Sequence, residues 1–201
     1  KFIQYFGYNE EALMANFPNS KLYITNHHQA HAANSFYTSE FEDALIITID
    51  GGGVDYNDGR ENTWGDLDSM PNSNAKITAT TFWLGEGNKI KPIEVIDRAK
   101  LNVGVYWDHC TYHIFGLNRN AVKRGEEGTV MGMAAFGDAD RYIGHFKNMG
   151  SGGTGPDNID FLIEEASKSE QNKFDIAASL QLETERVCKN LFDSYVEKYK
   201  P

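Results

Sequence analysis

Positions 44–49 hold five apolar residues and one threonine without polar alternation, and the run ends at Asp50 and three glycines, Gly51, Gly52 and Gly53. A run of this kind is typical of a strand that is covered on both faces of a sheet. Open α/β sheets bind their ligands at the carboxyl ends of such strands, so Asp50 is a candidate site residue. The glycines expose backbone N–H groups and let a phosphate or carbamoyl group approach closely. A plain tight turn is the alternative, although it seldom needs three glycines.

These glycines match neither of the common phosphate-binding motifs. The GxGxxG motif requires a helix directly after the glycines, and none is predicted there. The Gly-Lys-Ser/Thr of a Walker loop is absent from the sequence. The segment therefore predicts a loop beside a bound phosphate that belongs to neither of these two motif types.

Three of the six histidines, His27, His28 and His31, lie within five residues. On a helix, His27 and His31 are one turn apart on the same face, which suits them to clamp one divalent ion. His28 is predicted to point about 100° away from them. Imidazoles suit iron, zinc, nickel or copper, and Asp50 would complete a His-His-Asp set. The alternative to a metal site is that these histidines only make hydrogen bonds at the start of a helix.

The remaining pattern predicts an α/β fold, with a β-rich core between helices. Predicted strands cover 44–49, 76–84 and 91–96, with a hairpin turn at 85–88. Predicted helices cover 26–37, 103–117, 130–136 and 174–196, and the last of them repeats apolar residues at steps of three and four. A second HxxxH pair, His109 and His113, is expected on a helix face with polar partners.

Composition excludes several classes of function. Nineteen Lys and Arg residues against 29 Asp and Glu residues give a net charge of −10, which disfavours phosphate backbones and anionic lipid as partners. No apolar run reaches the roughly 18 residues that span a bilayer, so no membrane partner is expected. Cys110 and Cys188 form no CxxC motif, which predicts neither a disulfide framework nor a thiolate zinc site. A reducing, cytoplasmic location is expected.

Five blocks occur in a characteristic order: HHQAHAA at 27–33, SFY at 35–37, TIDG at 48–51, VMGMA at 130–134 and DIAASLQ at 175–181. Together they closely resemble the NodU/CmcH family of carbamoyltransferases. They are more distantly similar to the carbamoyl-transferring domain of the hydrogenase maturation factor and to the tRNA threonylcarbamoyl transferases. The match runs from Tyr23 to Tyr195, and the HHxAHA and VMGxA blocks are specific only together.

The resemblance implies an actin-like ATPase fold of the ribonuclease-H-like kind, as in sugar kinases and heat-shock ATPases. It also implies a reaction in which carbamoyl phosphate donates the carbamoyl group. The group would pass through a carbamoyl-adenylate made with ATP to a hydroxyl of a small molecule or glycan.

The resemblance also implies site residues. The family holds a metal, often assigned as iron, between the two histidines of HxxxH and aspartates, which correspond to His27, His31 and Asp50. Zinc, magnesium or manganese are the other candidates. Glycines 51–53 correspond to the phosphate-side loop, and Met131 and Gly132 would line the nucleotide or acyl-adenylate pocket. A family lysine is replaced by Thr129.

Other parts of the family's machinery are expected outside the 201 residues, so no general base is assigned. These parts are the first phosphate hairpin, a catalytic Asp/His motif, a further aspartate ligand and the adenylate-forming domain. The chain is expected to be the central part of one transfer domain, with residues 1–40 ending its first lobe and 41–201 beginning the second. Alone, it is expected to be inactive and to pair with itself through the apolar stripe of the last helix.

Two other functions stay open. A relative could carbamoylate tRNA-bound threonine or a metallocentre thiolate, although the negative charge weighs against tRNA. A non-catalytic ligand-binding module of the same fold is the alternative from another class.

Overall fold

The computed structural model describes residues 26–56, 75–117 and 125–199, together with 15, 16, 18 and 19. In this part of the chain, helices pack on both faces of a three-stranded antiparallel sheet, in agreement with the predicted α/β class. The strands are β1 (Asp43–Tyr56), β2 (Ala75–Glu86) and β3 (Lys89–Ile96), in the order β1-β2-β3. The actin-like topology and the division into two lobes stay predictions.

The predicted hairpin is confirmed. β2 and β3 are joined at Gly87 and Asn88, and Gly87 has a φ of 57°, which an L side chain rarely adopts. β2 begins one residue earlier and ends two residues later than predicted, and β3 begins two residues earlier. At the turn, the strands are longer because the antiparallel ladder continues up to the pair of Glu86 and Lys89.

The prediction that the first strand ends at Asp50 is wrong. β1 continues through the glycines to Tyr56, and its pairing with β2 shifts on the way. Ile49 pairs with Thr80 and Gly53 pairs with Thr78, so three residues of β1 face one residue of β2. The strand accommodates this excess as a bulge, which glycine permits because it has no Cβ.

The helices are α1 (His27–Tyr37), α2 (Val103–His113), α3 (Glu127–Ala134), α4 (Ile159–Lys168) and α5 (Glu170–Tyr199). Two short 3-10 turns, Ile143–His145 and Lys147–Ser151, lie between α3 and α4. α2 ends four residues before the predicted end because the chain turns at Gly116, whose φ is 68°. α4 has no counterpart among the predicted helices.

The main hydrophobic core lies between α2, α3, α4 and α5, with Tyr106, Phe146, Leu162, Ile176 and Leu180 fully buried in it. A second, smaller cluster joins α1 to the sheet through Ala32, Phe36, Ile46 and Trp83. The sheet thus has a covered face on each side, as the apolar run of β1 predicts.

The apolar stripe of the last helix, through which self-association is expected, is largely covered within the chain. Ile176 and Leu180 are buried in the main core, and Val187 and Leu191 pack against it. Further along α5, the ring of Tyr195 stacks on Phe82 of β2 at a centroid distance of 3.5 Å. The sequence did not show that the helix folds back over the sheet, so this part of the argument for self-association is lost.

A buried carboxylate joins α5 to the segment after α3. Asp175 is 3% exposed and accepts hydrogen bonds from Arg141 (2.8 Å), Gln171 (2.8 Å) and the backbone N–H of Asp138 (2.8 Å). Burial opposes ionisation of Asp175, but these hydrogen bonds outweigh it and lower the pKa of the carboxyl.

Among the described helices, none combines the length and the apolar character needed to cross a membrane.

Candidate metal centre

α1 docks on the sheet through one buried stripe. His28, Ala32 and Phe36 recur every four residues and are buried, as expected for the core-facing side of a helix. The ring of Phe36 lies against Gly85, where a Cβ would come within 2.6 Å of it. His27 and His31 lie beside this stripe and are 42% and 56% exposed, so they border the sheet without entering the core.

His28 attaches α1 to β2. Its Nδ1 lies 2.9 Å from the hydroxyl of Thr78 and 3.3 Å from that of Thr81, and the imidazole is fully buried. A buried imidazole that binds two hydroxyls fixes the position of its helix. His28 therefore has a structural role as a hydrogen-bonding histidine at the start of a helix, which was the alternative to metal binding for all three histidines.

Asp50 reaches the same side of the sheet because β1 alternates. Ile46 and Thr48 face the α1 side, where Ile46 belongs to the smaller cluster and Thr48 accepts a hydrogen bond from Trp83 (3.1 Å). Asp50 is the next residue in this period-two pattern. The backbone N–H of Gly51 donates to Asp50 Oδ1 (2.6 Å), which leaves Oδ2 directed at the histidines.

Three predicted ligands come together. Asp50 Oδ2 lies 2.5 Å from His27 Nε2 and 3.7 Å from His31 Nε2, and the two imidazole nitrogens are 3.1 Å apart. Ligands at about 2.0–2.2 Å from one ion lie roughly 3–3.5 Å from each other, and the observed separations bracket that range. The side chain of Asp50 is 36% exposed, so the cluster is open to solvent on one side.

The chemistry of the donor set also fits a cation. Nε2 of a neutral His27 can either donate one hydrogen bond or accept one, but it faces both Asp50 and His31. If it donates its proton to Asp50, it has no lone pair left to accept a proton from His31. If it accepts a proton from His31, its own lone pair points towards the Asp50 carboxylate. No arrangement with His27 neutral satisfies all three atoms, whereas one divalent ion would accept a lone pair from each of them.

His28 is buried whereas His27 and His31 are exposed, yet its ring stays close to the cluster. One ring nitrogen of His28 lies within 4.8 Å of the ligand atoms of His27 and Asp50, and these three residues form a possible ligand group by distance alone. The threonine hydroxyls engage only Nδ1 of His28, so they do not decide between His28 and His31 as the third ligand. The 3.1 Å separation between the Nε2 atoms of His31 and His27 favours His31.

Hydrogen bonds hold Asp50 ionised. Burial opposes the charge, but the hydrogen bonds from His27 and from the N–H of Gly51 prevail and lower the pKa of the carboxyl. An ionised carboxylate is the form that binds a metal ion.

Sequence reasoning missed the residues that support Asp50 from behind. The Asn102 side chain donates to the carbonyl of Gly51 (3.2 Å) and accepts from the N–H of Val105 (3.0 Å), so it caps α2 and holds β1 at once. Gly104, in the first turn of α2, leaves no room for a Cβ against Gly51 and Asp50. The Asn-Val-Gly sequence at the start of a predicted helix was the available signal.

Other parts of the chain pack against the glycines that follow Asp50. Gly51 is covered by α2, and a Cβ at Gly53 would overlap the imidazole of His27. Gly52 has a φ of 157°. Packing therefore accounts for glycine at 53, whereas a Cβ at 51 would make only ordinary contacts with α2, at 3.6 Å or more. Phosphate binding by Gly51, Gly52 and Gly53 stays a prediction.

Met131 and Gly132 lie elsewhere. Met131 is half-exposed and borders an open groove of about 480 Å³ between α3, α5 and the segment that follows α3. Its small lining residues include Ala134, Ala139 and Ala178, and two polar residues of α5, Gln181 and Glu185, also line it. Gly132 is exposed on α3 and is not among the lining residues. The groove shares no lining residue with the His27, His31 and Asp50 cluster.

Two relatives resemble the chain at low identity. Nodulation protein NolNO from Sinorhizobium fredii is 26% identical over 182 residues, which cover 84% of this chain and 22% of that protein. The uncharacterized protein sll1178 from Synechocystis sp. is 24% identical over 202 residues, which cover 88% of this chain and 28% of that protein. The chain thus spans about a quarter of the length of the relatives it matches. No family model matches it.

Proposed function

We propose that this chain is part of an ATP-dependent O-carbamoyltransferase that takes its carbamoyl group from carbamoyl phosphate. The observation that carries the proposal is the convergence of His27, His31 and Asp50, since the resemblance to the NodU/CmcH family implies the same three residues as metal ligands. The similarity to Nodulation protein NolNO over most of the chain supports a transferase.

In this proposal, His27, His31 and Asp50 hold a divalent ion, with iron as the first candidate. The ion would supply Lewis-acid polarisation of a phosphate or carbamoyl oxygen. Asp50 keeps one oxygen on the N–H of Gly51 and presents the other to the ion. The open side of the cluster gives a substrate access, because all three side chains are at least one-third exposed.

The remaining residues bind and position substrates in this proposal. Gly51, Gly52 and Gly53 border the phosphate side, where Asn102 and Gly104 fix the backbone of β1. Met131 and Gly132 lie on α3 beside a groove of about 480 Å³, a volume in the range of small-molecule sites. The acceptor would be a hydroxyl of a small molecule or glycan.

The test uses the protein as its gene encodes it, supplied with ATP, carbamoyl phosphate and a panel of hydroxylated acceptors. We expect AMP and pyrophosphate to form only when carbamoyl phosphate is present, and a carbamoylated acceptor to be detected by mass spectrometry. His31→Ala should abolish acceptor carbamoylation. Asn34→Ala, on an exposed position of the same helix, is the matched control and should keep it. Absence of AMP and pyrophosphate with every acceptor would refute the proposed reaction.

A further inference from the structure

α2 carries a second histidine pair that the proposed function does not use. His109 and His113 are four residues apart on one face, and their ring centroids are 4.3 Å apart with 40° between the planes. The predicted polar partners are not found: within the described ranges, neither imidazole takes part in a hydrogen bond or an ion pair.

The loop before α4 fixes one of the two rings. A Cβ at Gly155 would lie 2.6 Å from Cδ2 and 2.8 Å from Nε2 of His109, so the loop backbone packs directly on that imidazole. The carbonyl of Gly155 accepts a hydrogen bond from Asn148 (3.0 Å), which holds the loop in place. A ligand side chain that is already immobilised loses less conformational entropy when it binds.

The surroundings of the pair also suit a cation. The thiol of Cys110 is no competitor, since it lies fully buried in the main core and burial raises its pKa. Asp108, the charged neighbour on the same turn, favours a cation nearby.

We propose that His109 and His113 form a second, bidentate site for a late first-row divalent ion such as Ni²⁺, Cu²⁺ or Zn²⁺. Two imidazoles one helical turn apart are ligands of the type these ions prefer. Water completes the coordination on the exposed side of His113. The site is independent of the proposed carbamoyl transfer, because it shares no residue with His27, His31 and Asp50.

The test separates this pair from the first cluster by using a His27→Ala, His31→Ala background. Titration of this variant with Ni²⁺ by calorimetry should show one equivalent bound per chain. Adding His113→Gln should weaken binding by about tenfold or more. His113 is exposed, so the substitution leaves the core intact, and circular dichroism verifies the fold.

His145→Gln in the same background is the matched control. His145 is a partly exposed histidine outside α2 whose ring bonds the carbonyl of Asp157, and its loss should leave the Ni²⁺ affinity unchanged. Paramagnetic broadening of imidazole proton signals supplies a second readout and should affect His109 and His113 before His145. Equal affinities with and without His113, or no Ni²⁺ uptake in the background variant, would overturn the proposal.

Discussion

Gly104 lies directly against Gly51, so the first turn of α2 and the backbone of β1 touch at the residue that follows Asp50. Neither element could come this close with a side chain at position 104, because a Cβ there would overlap backbone atoms of Gly51 and Asp50. The position of the Asp50 carboxylate therefore depends on a contact between two backbones from different parts of the sequence.

The first prediction concerns this contact. Gly104→Ala should lower the free energy of unfolding by about 1–3 kcal/mol, since strand and helix must move apart to admit a methyl group. Urea denaturation measures the change. Gly132→Ala is the control, because nothing lies within 4 Å of a Cβ there and alanine favours the helix by about 1 kcal/mol. A Gly104→Ala protein as stable as the parent would contradict the close packing.

The second prediction distinguishes the two candidate third ligands. His31→Ala should reduce the affinity for Fe²⁺ or Zn²⁺ by more than about tenfold, whereas His28→Gln should lower stability and keep more of the metal. The reason is that His31 Nε2 lies 3.1 Å from His27 Nε2 beside the carboxylate, whereas His28 is fully buried and attaches α1 to β2. Metal content after anaerobic purification, with His27→Ala and Asp50→Ala as further variants, measures this. Equal metal content in His31→Ala and the parent would exclude His31.

The third prediction concerns Gly53. Gly53→Ala should displace the imidazole of His27 and weaken metal binding, because the new methyl group and the ring cannot share the space. Gly128→Ala, with nothing within 4 Å of its Cβ and far along the chain in α3, is the matched control and should leave the metal affinity unchanged. Isothermal titration with Zn²⁺ compares the two. An unaltered affinity in Gly53→Ala would show that the ring can retreat without losing the ion.

The fourth prediction concerns pH. Because the folded-state pKa of Asp175 is lowered, its contribution to stability is present above the ordinary carboxyl pKa of about 3.9. That contribution is lost as pH falls through the lower, folded value. Asp175→Asn should therefore cost about 1.5–3 kcal/mol at pH 7 and progressively less below pH 4. Thermal denaturation across this range tests it, with exposed Asp140→Asn as control. A cost independent of pH would argue against an ionised Asp175.

Part of this architecture follows from local sequence. The α1 helix, the β2–β3 hairpin at Gly87 and the pairing of His27 with His31 are set by contacts within a few residues, and the sequence predicted each of them. Convergence of Asp50 on the two histidines agrees with the prediction as well, although it needs the tertiary packing of α1 on β1.

The rest depends on partners that are distant in the chain. β1 looked finished at Asp50 because three glycines usually mark a turn, but pairing with β2 carries the strand past them. The last part of the α5 stripe looked uncovered because Phe82, on which Tyr195 stacks, lies more than 100 residues earlier in the chain. Likewise, the glycine at 53 resembled a phosphate loop, while its immediate neighbour is the His27 ring.

The fifth prediction tests the contact between α5 and the sheet. Tyr195→Ala should lower the free energy of unfolding by about 1–3 kcal/mol, since it removes a stacked aromatic pair with the fully buried Phe82. Phe192→Ala, on a 43% exposed residue one turn earlier, should change stability by less than about 0.5 kcal/mol. Guanidinium denaturation of both variants gives the comparison, and equal losses would contradict a specific role for Tyr195.

α5 has 30 residues and is about 45 Å long, and it is tied down near both ends. Asp175 binds Arg141 near its start, and Lys198 binds Glu94 of β3 (2.9 Å) near its end. One rigid rod therefore joins the helical core to the sheet that carries Asp50. The helical core and the sheet are thereby joined into a single cooperative unit.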